Sequence, residues 1–356
     1  MTYTTKEIAV TTIQKSKLSQ IDLSNLGFGQ HFTDHMFSAV YNGTEWTDLE
    51  LIPFDNLTMH PANLMMHYGQ SIFEGMKAYM DPNGKDALVF RPEMNARRFM
   101  QSAERMCMEP VPEQLFLDGI NALVEKDKKW IPNDQTGALY IRPFEIAWDN
   151  FLGVKPSDSY RFMIICSPVG AYYTKPVNIK IETEYVRAAA GGTGQAKAAG
   201  NYAASLYPAQ LAKKQGFDQI LWTDAKEHKY IEEAGTMNVM FMIDGVLYTS
   251  PLTSTILPGI TRDSVLQLAK HWGVQIHDGR PEVEHVVKAL QENRVQEAFG
   301  VGTAATIAPI ASISYKNQSY AVPEADVTSF STKAGKYLNE VKRGLIPDEF
   351  HWNAKV

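Results

Sequence analysis

The chain has 356 residues, which is long enough for two domains that each bury a core. Hydrophobic residues make up 44% and charged residues 21%, as is typical of a soluble globular protein. The formal net charge of −6 argues against general nucleic-acid binding, which needs a basic surface. Two isolated cysteines, Cys107 and Cys166, exclude a disulfide framework and lack metal-ligand spacing, so we expect no metal and a reducing, cytoplasmic compartment.

The sequence offers no segment that we expect to enter a membrane. Residues 1–17 alternate polar and apolar side chains and lack the uninterrupted apolar core of a signal peptide. The longest apolar-rich stretch, 162–173, is too short to cross a bilayer and contains Pro168 and Gly170. We therefore expect neither secretion nor a membrane partner.

The first half of the chain mixes predicted strands with predicted helices. β-branched and aromatic residues between turn signals predict strands at 36–41, 73–79, 88–90, 138–146 and 161–167. Helices are predicted at 92–106, where Pro92 fits the first turn, and at about 112–130.

A Gly/Ala-rich run at 188–200 has no packing periodicity and reads as a loop. We place the domain boundary near it: an N-terminal domain at 1–173, an interdomain loop at 174–189 and a larger C-terminal domain at 190–356. In the second domain we predict helices at 202–215, from 261 onward and at 327–341. We predict strands there at 219–223, 238–243, 246–249 and 296–301. The predicted fold class is α/β (α+β), with two mixed domains.

A single lysine in this loop, Lys197, carries the strongest chemical signal. Its small neighbours in KAAGNY would let a ligand approach the backbone. A lysine attacks an aldehyde only as the free amine, and burial or a neighbouring cation favours that form. The alternative is a solvated loop lysine, which is the more common fate of this residue type.

The segment 256–269 predicts an anion site at the start of a helix. Pro258 and Gly259 break the preceding segment, Thr261 is a suitable N-cap, and apolar periodicity follows. The amides of Ile260 and Thr261 could hold a phosphate, although most helix starts bind only water. Arg97 or Arg98 could add a cation, and helical geometry allows only one of them to face inward.

Three further segments could contact a ligand. A carboxylate from Glu232 or Glu233 could keep a pyridine nitrogen protonated, or both could be surface charges. Strand alternation places Tyr140 and Arg142 on one face, which suits either a carboxylate ligand or a structural ion pair. The small residues at 299–306 could present backbone amides or form a plain tight turn.

Together these segments resemble the branched-chain amino-acid aminotransferases, within the class IV aminotransferases, which are fold type IV pyridoxal-phosphate enzymes. The resemblance covers nearly the whole chain and rests on several long motifs in the family's order. They are FGQHFTDHM (28–36), NLTMHPA (56–62), HYGQSIFEGMKAY (67–79), FRPEMNARR (90–98), LYIRP (139–143), SPVGAYY (167–173), KAAGNYAAS (197–205), EEAGTMN (232–238), LPGITRD (257–263) and GVGTAA (300–305).

The resemblance implies the D-amino-acid-aminotransferase-like architecture, pyridoxal 5'-phosphate as cofactor, and a role for each matching residue. Lys197 would be the Schiff-base lysine and the acid and base of the proton transfer. The other cofactor-binding residues would be Arg98, Tyr202, Glu233, Ile260, Thr261, Thr303 and Ala304. The substrate-binding residues would be Phe28, Tyr68, Phe73, Tyr140, Arg142 and Tyr172, together with Thr303 and Ala304.

The implied reaction is a reversible ping-pong transamination between L-leucine, L-isoleucine or L-valine and 2-oxoglutarate. Aromatic walls would hold the aliphatic chain, and Arg142 would hold the distal carboxylate of glutamate. The family also implies closure of the interdomain loop over substrate and a homodimer or higher homo-oligomer. Mammalian members carry a CxxC pair where this chain has Ala305 and Ala308, so thiol regulation of that kind should be absent.

Two other functions remain open from the sequence. The first is another enzyme of the same fold, a D-amino-acid aminotransferase or aminodeoxychorismate lyase, which resembles this chain less at YIRP, FEGMKAY and EEAGTMN. The second is a non-enzymatic protein that holds a phosphate ligand. Lys197, Tyr202 and Glu233 argue against the second, because simple phosphate binding needs none of them.

Overall fold

The structure is a computed structural model that describes residues 7–23, 25–132, 137–170 and 175–356. Its strands are β1 (Ala9–Val10), β2 (His35–Tyr41), β3 (Trp46–Pro53), β4 (Ser71–Phe73), β5 (Met76–Met80), β6 (Ala87–Phe90), β7 (Ala138–Ala147), β8 (Tyr160–Val169), β9 (Val177–Ile181), β10 (Gln219–Thr223), β11 (Ile231–Ala234), β12 (Met237–Ile243), β13 (Val246–Thr249), β14 (Gln275–Ile276), β15 (Val295–Gly302), β16 (Thr306–Tyr315), β17 (Gln318–Ala321) and β18 (Asn353–Lys355). Its helices are α1 (Leu64–Tyr68), α2 (Pro92–Arg105), α3 (Glu113–Lys126), α4 (Ala199–Lys214), α5 (Ile260–His271), α6 (Val283–Gln291) and α7 (Phe330–Lys342).

The chain forms two compact units. The first contains the described residues up to 170, the segment Ala196–Gly200 and the segment Glu340–Val356. The second contains the described residues from 175 to 195 and Asn201–Asn339. The domain limits at 173 and 190 that the sequence suggests remain a prediction.

The first unit is built on a sheet in the order β1-β3-β2-β8-β7-β5-β6-β18, with β4 also paired to β7. Its centre is the antiparallel pair β7 and β8, which stay in register from Ala138 opposite Val169 to Ala147 opposite Tyr160. On its other edge β7 pairs with β4 and β5. Residues of β7 therefore lie beside the segment that links β4 to β5.

Helices α2 and α3 cover this sheet with apolar side chains. Pro92 starts α2, where its missing amide hydrogen costs no hydrogen bond. Phe99 of α2 and Phe116 of α3 are wholly buried, with ring centroids 5.6 and 5.8 Å from that of Phe162 in β8. This aromatic cluster fixes α2, which carries Arg98, on the sheet.

The second unit contains a sheet in the order β11-β10-β9-β16-β15-β12-β13-β14, with β17 on β16. An additional pairing of β11 with β12 joins six of these strands into a closed ring. Apolar residues of the ring, such as Phe241, are buried in one cluster with Val286 and Val287 of α6. The pairing of β11 with β12 is the one that carries Glu233, opposite Asn238.

The single strand predicted at 73–79 is wrong, because the structure has two strands, β4 and β5, separated by Glu74 and Gly75. The amide of Glu74 donates to Pro143 O at 2.8 Å, and its carboxylate accepts from the amide of Gly75 at 3.0 Å. A Cβ on Gly75 would lie 2.2 Å from Tyr140 Oη, so only glycine fits there. Tertiary contacts therefore override an alternating pattern that reads as one strand.

Candidate active site

The segment that carries Lys197 is held against the first unit by its backbone. Lys197 O accepts from the amide of Phe73 at 3.1 Å, and Ala198 forms a bridge with Ile72. The amide of Lys197 donates to Ser102 Oγ at 3.0 Å, and that hydroxyl donates to Arg98 O at 2.9 Å. The lysine backbone is therefore fixed to both β4 and α2.

The side chain of Lys197 lies over an aromatic ring. Its Nζ is 4.9 Å from the centroid of Phe73, one of the residues predicted to contact substrate. Such a contact favours a cation over a ring face. The lysine is thus half-buried beside Phe73 in the first unit rather than fully solvated.

Of the two adjacent arginines, Arg98 faces inward. Its Nε and Nη2 donate to the two carboxylate oxygens of Glu74, at 2.7 and 2.8 Å, and both side chains are buried. Arg97 has an exposed side chain and pairs with Glu113 at 3.3 Å. The inward position agrees with the assignment of Arg98, whose phosphate-binding role stays a prediction.

The predicted pocket residues of β7 lie together with Phe73. Arg142 donates from Nη2 to Tyr140 Oη at 2.9 Å, and its Cζ is 4.6 Å from the centroid of Phe73. Phe28 meets Tyr140 edge to face at 4.9 Å between centroids. Arg142 Nε is buried and has no hydrogen-bond partner among the described residues. The arginine thus packs among aromatic rings and contacts no carboxylate of the described residues, which does not fit the structural ion pair.

Two predicted pocket residues are not joined to this group. Tyr68 ends α1 with 45% of its surface exposed, and its ring contact among the described residues is with His67 at 6.2 Å. Tyr172 lies outside the described residues. Both assignments stay predictions.

In the second unit Glu233 is a buried carboxylate that forms an ion pair with Arg187 and accepts hydrogen bonds from Asn238 and Leu257. Arg187 Nε lies 2.6 Å from Oε2, while Asn238 Nδ2 and the Leu257 amide donate to Oε1 at 2.9 and 3.2 Å. Glu233 and Tyr202 line one small pocket together with Arg187. The guanidinium charge and the hydrogen bonds favour the charged carboxylate, which is the form that a protonated pyridine nitrogen requires.

Glu232 is also buried, so the reading of both glutamates as surface charges is wrong. Consecutive residues of strand β11 point to opposite faces, and Glu232 accepts instead from Thr255 Oγ1 at 2.6 Å. Burial raises the pKa of Glu232 despite that hydrogen bond and the charges of Arg187 and Arg280. Only Glu233 lines the pocket that contains Tyr202.

Arg187 lines the pocket of Tyr202 and Glu233, and the sequence analysis does not identify it. Besides Glu233, its guanidinium contacts Gly194 O at 2.9 Å and Thr255 O at 2.7 Å through Nη2. No local pattern marks Arg187, which lies in the mixed-polarity segment that the sequence predicts as the interdomain loop. Glu74 was missed for a similar reason: the FEGMKAY motif contains it, but its partner Arg98 lies on a separate helix.

The predicted anion-binding amides lie at the start of α5 and in a turn after β15. Helix α5 begins at Ile260 and its N-cap is Gly259, so the prediction of Thr261 as N-cap is wrong. A Cβ on residue 259 would lie 1.9 Å from Asn238 Oδ1, which explains why the N-cap position is a glycine. Ile260 and Thr261 still supply first-turn amides. Thr303 and Ala304 lie in the turn that joins β15 to β16.

No helix among the described residues is long and apolar enough to span a bilayer. No group of three or more His, Cys, Asp or Glu residues in the described ranges is arranged to hold a metal ion.

Comparison with known proteins gives one family. The model of the amino-transferase class IV family matches residues 71–313. "Branched-chain-amino-acid aminotransferase 2" of Bacillus subtilis (strain 168) is 43% identical over 360 residues, covering 100% of this chain and 98% of that protein. "Branched-chain-amino-acid transaminase 1" of the same organism is also 43% identical, over 94% of this chain and 95% of its own.

Solved structures agree. The branched-chain amino acid aminotransferase from Escherichia coli is 25% identical, with a TM-score of 0.72 over 90% of this chain and 98% of its own. A T.th. branched-chain amino acid aminotransferase with pyridoxamine 5'-phosphate is 25% identical, with a TM-score of 0.71 over 93% and 98%. The predicted mixed α/β fold and the predicted enzyme class are thereby confirmed. The chain belongs to the class IV aminotransferase family, as its resemblance to the branched-chain enzymes predicted.

Proposed function

We propose that this aminotransferase exchanges the amino group between L-leucine, L-isoleucine or L-valine and 2-oxoglutarate, with pyridoxal 5'-phosphate as cofactor. The observation that most supports this proposal is a cluster of side chains in the first unit, formed by Lys197, Phe73, Tyr140 and Arg142. An amine beside aromatic walls and one cation suits substrates that differ in having an aliphatic or a carboxylate side chain. The names of the full-length relatives support the same substrates.

The residues present fit this cofactor chemically. The first unit supplies the Lys197 amine for the aldehyde and the Arg98 guanidinium for the phosphate. The second supplies the Glu233 carboxylate for the pyridine nitrogen and the Tyr202 hydroxyl for the phenolic oxygen. Backbone amides of Ile260, Thr261, Thr303 and Ala304 would complete the phosphate site. When bound, the cofactor supplies an electron sink for the charge left on the substrate Cα.

Lys197 has the proton-transfer role. As a free amine, its Nζ can take the proton from the substrate Cα and later return it on the cofactor side. The hydrogen bonds to Phe73 and Ser102 hold the lysine backbone, so only the side chain has to move. The Phe73 ring would stabilise the ammonium form while the proton is held.

Substrate recognition is divided between apolar and polar groups. Phe28, Phe73 and Tyr140 would bury the aliphatic chain, which is worth about 1.5–3 kcal/mol by transfer. Arg142, with its buried Nε, would take the distal carboxylate of 2-oxoglutarate or glutamate. The amides of Thr303 and Ala304 would take the α-carboxylate.

A homodimer or larger homo-oligomer is also part of the proposal. Large apolar side chains of two neighbouring segments in the first unit are exposed: Met66, Tyr68, Phe151, Leu152 and Val154. The segments are joined by a bridge between Asn63 and Asn150. A second copy of the chain would cover this surface. Residues of each copy would then reach the active site of the other, as the family implies. We also propose the cytosol as compartment, which the two free cysteines support.

The alternative enzymes of this fold are not favoured, since the full-length relatives are branched-chain enzymes. The test is turnover with pyridoxal phosphate and 2-oxoglutarate, with L-leucine, L-isoleucine, L-valine and D-alanine offered separately. Glutamate should form from the three branched L-amino acids and not from D-alanine, and Lys197→Ala should abolish it. Turnover of D-alanine alone would overturn the substrate assignment. A colourless protein unaffected by borohydride would overturn the cofactor assignment.

A further inference from the structure

Glu74 is a wholly buried carboxylate at the break between β4 and β5. Its Oε1 accepts from Arg98 Nε at 2.7 Å, and its Oε2 accepts from Arg98 Nη2 at 2.8 Å. Oε2 also accepts from Asn95 Nδ2 at 2.7 Å and from the Gly75 amide at 3.0 Å. Four donors thus surround one carboxylate, and two belong to the same guanidinium.

Such a pair is costly to bury, and its presence is weak evidence of a stabilising role. Two charges lose their hydration, and well-packed apolar residues of similar volume often stabilise a fold equally well. What an ion pair offers instead is geometry, because two parallel hydrogen bonds fix the plane of the guanidinium. Burial alone would raise the pKa of Glu74, but Arg98, the Asn95 hydrogen bond and the charge of Lys197 hold it below its usual range. The Glu74–Arg98 pair, here called the clamp, is therefore charged throughout the neutral pH range.

The clamp is continuous with the segment that carries Lys197. Phe73, which precedes Glu74, donates its amide to Lys197 O. Ser102, one turn beyond Arg98 on α2, accepts from the Lys197 amide and donates to Arg98 O. The lysine backbone and the arginine side chain are therefore held by the same two chain segments.

We propose that Glu74 is a positioning residue for cofactor binding: it fixes the Arg98 guanidinium in the orientation that receives the phosphate. The inference rests on the proposed function, because it needs Arg98 to bind that phosphate. Glu74 itself contacts Arg98 and Asn95 and needs no contact with the cofactor. Its loss should therefore weaken recognition of the phosphate and leave recognition of the pyridine ring intact.

The test compares two ligands of the cofactor-free enzyme, pyridoxal 5'-phosphate and pyridoxal, which lacks the phosphate. Their dissociation constants are measured by fluorescence titration. The Kd for pyridoxal divided by the Kd for pyridoxal 5'-phosphate reports phosphate recognition alone. In Glu74→Gln this ratio should fall at least about tenfold, with pyridoxal binding changed by less than about twofold. Arg98→Lys should lower the same ratio, and Glu74→Gln should add little to it in the double variant.

Matched variants separate positioning from folding. Glu145→Gln makes the same change at another wholly buried glutamate of the first unit and should leave the ratio unchanged. Glu74→Asp keeps the charge but is one methylene shorter, so it should give an intermediate ratio and remains informative if Glu74→Gln unfolds. Thermal unfolding of each variant confirms that the compared proteins are folded.

The outcomes distinguish the two proposals. An unchanged ratio in folded Glu74→Gln or Glu74→Asp, or equal weakening of both ligands, would overturn the positioning role while leaving the transaminase intact. If the wild-type enzyme binds the two ligands equally, Arg98 does not bind the cofactor phosphate. Failure of the wild type to bind pyridoxal phosphate or to transaminate would overturn the proposed function itself.

Discussion

The ring of Phe73 lies against two cations, the amine of Lys197 and the guanidinium of Arg142. Nζ is 4.9 Å and Cζ is 4.6 Å from its centroid. The two cations differ in chemistry: the amine can lose its proton and react, whereas the guanidinium stays charged. One ring therefore lies beside both the amine that we propose reacts and the guanidinium that we propose selects the substrate.

Arg142→Ala should discriminate between the two half-reactions. A charged hydrogen bond is worth about 1.5–3 kcal/mol, so the KM for 2-oxoglutarate should rise about tenfold or more. The KM for L-leucine should change by less than about threefold. Steady-state kinetics with each substrate varied in turn measures both.

Arg161→Ala is the matched control, because Arg161 also packs on an aromatic ring, with its Cζ 5.0 Å from that of Trp148. It should not alter the ratio of the two KM values. Equal losses for both substrates in Arg142→Ala would show that this arginine does not select the dicarboxylate.

Glu145 of β7 should make stability fall as pH rises. Both of its carboxylate oxygens are buried without a hydrogen-bond partner among the described residues. Burial, reinforced by the charge of Glu109, raises its pKa well above 4.5. Above about pH 4.5 the unfolded chain therefore releases a proton that the folded protein keeps, which costs stability up to the folded pKa.

Glu145→Gln removes this cost while keeping the shape of the side chain. Urea unfolding should show a higher midpoint than wild type at about pH 7 and the same midpoint at about pH 4. A lower midpoint at about pH 7 would mean that the carboxylate is ionised and stabilised in the folded protein.

Among elements, the turn before α5 ties Glu233 to the predicted phosphate amides. Asn238 Nδ2 donates to both Glu233 Oε1 and Leu257 O, at 2.9 and 3.0 Å. Gly259 follows in the space beside Asn238 and caps α5. One asparagine thus holds the carboxylate and the helix start together.

Gly259→Ala should disturb that arrangement, since the added methyl would lie 1.9 Å from Asn238 Oδ1. Overpacking of this kind costs about 1–3 kcal/mol, so pyridoxal-phosphate affinity should fall about tenfold. Fluorescence titration measures the loss. Gly335→Ala in α7 is the control, because its new methyl would meet Ile307 at an ordinary 3.6 Å. Wild-type affinity in Gly259→Ala would show that the turn has room to adjust.

Elements with a strong local pattern could be predicted from the sequence, and those fixed by distant partners could not. Helix α2 and strands β7 and β12 lie within a few residues of their predicted bounds because their apolar periodicity is intrinsic. The break between β4 and β5 depends on Pro143 and Arg98, which no local pattern around Glu74 reveals. Arg187 is likewise defined by Glu233 and Thr255, which are remote in sequence.

For the whole molecule, the exposed apolar residues of the first unit predict the assembly. Val154→Glu places a charge on a side chain that is 89% exposed within the proposed surface. Size-exclusion chromatography with light scattering should show a shift from dimer or higher oligomer towards monomer, with loss of activity. The matched change Val327→Glu, at an 83% exposed valine of the second unit, should leave the assembly intact. Identical assembly in both variants would exclude this surface as the interface.

The first unit is completed by chain segments from far along the sequence. Strand β18 pairs with β6, Trp352 O accepts from the Arg91 amide at 2.7 Å, and the ring of Trp352 packs on Phe90. Ala196–Gly200 joins the same unit from the middle of the chain. During translation, the ribosome must therefore make the whole second unit before the sheet edge at β6 can be closed. A nascent chain halted before residue 340 would expose that edge, and chaperones that bind unpaired strands should recognise it.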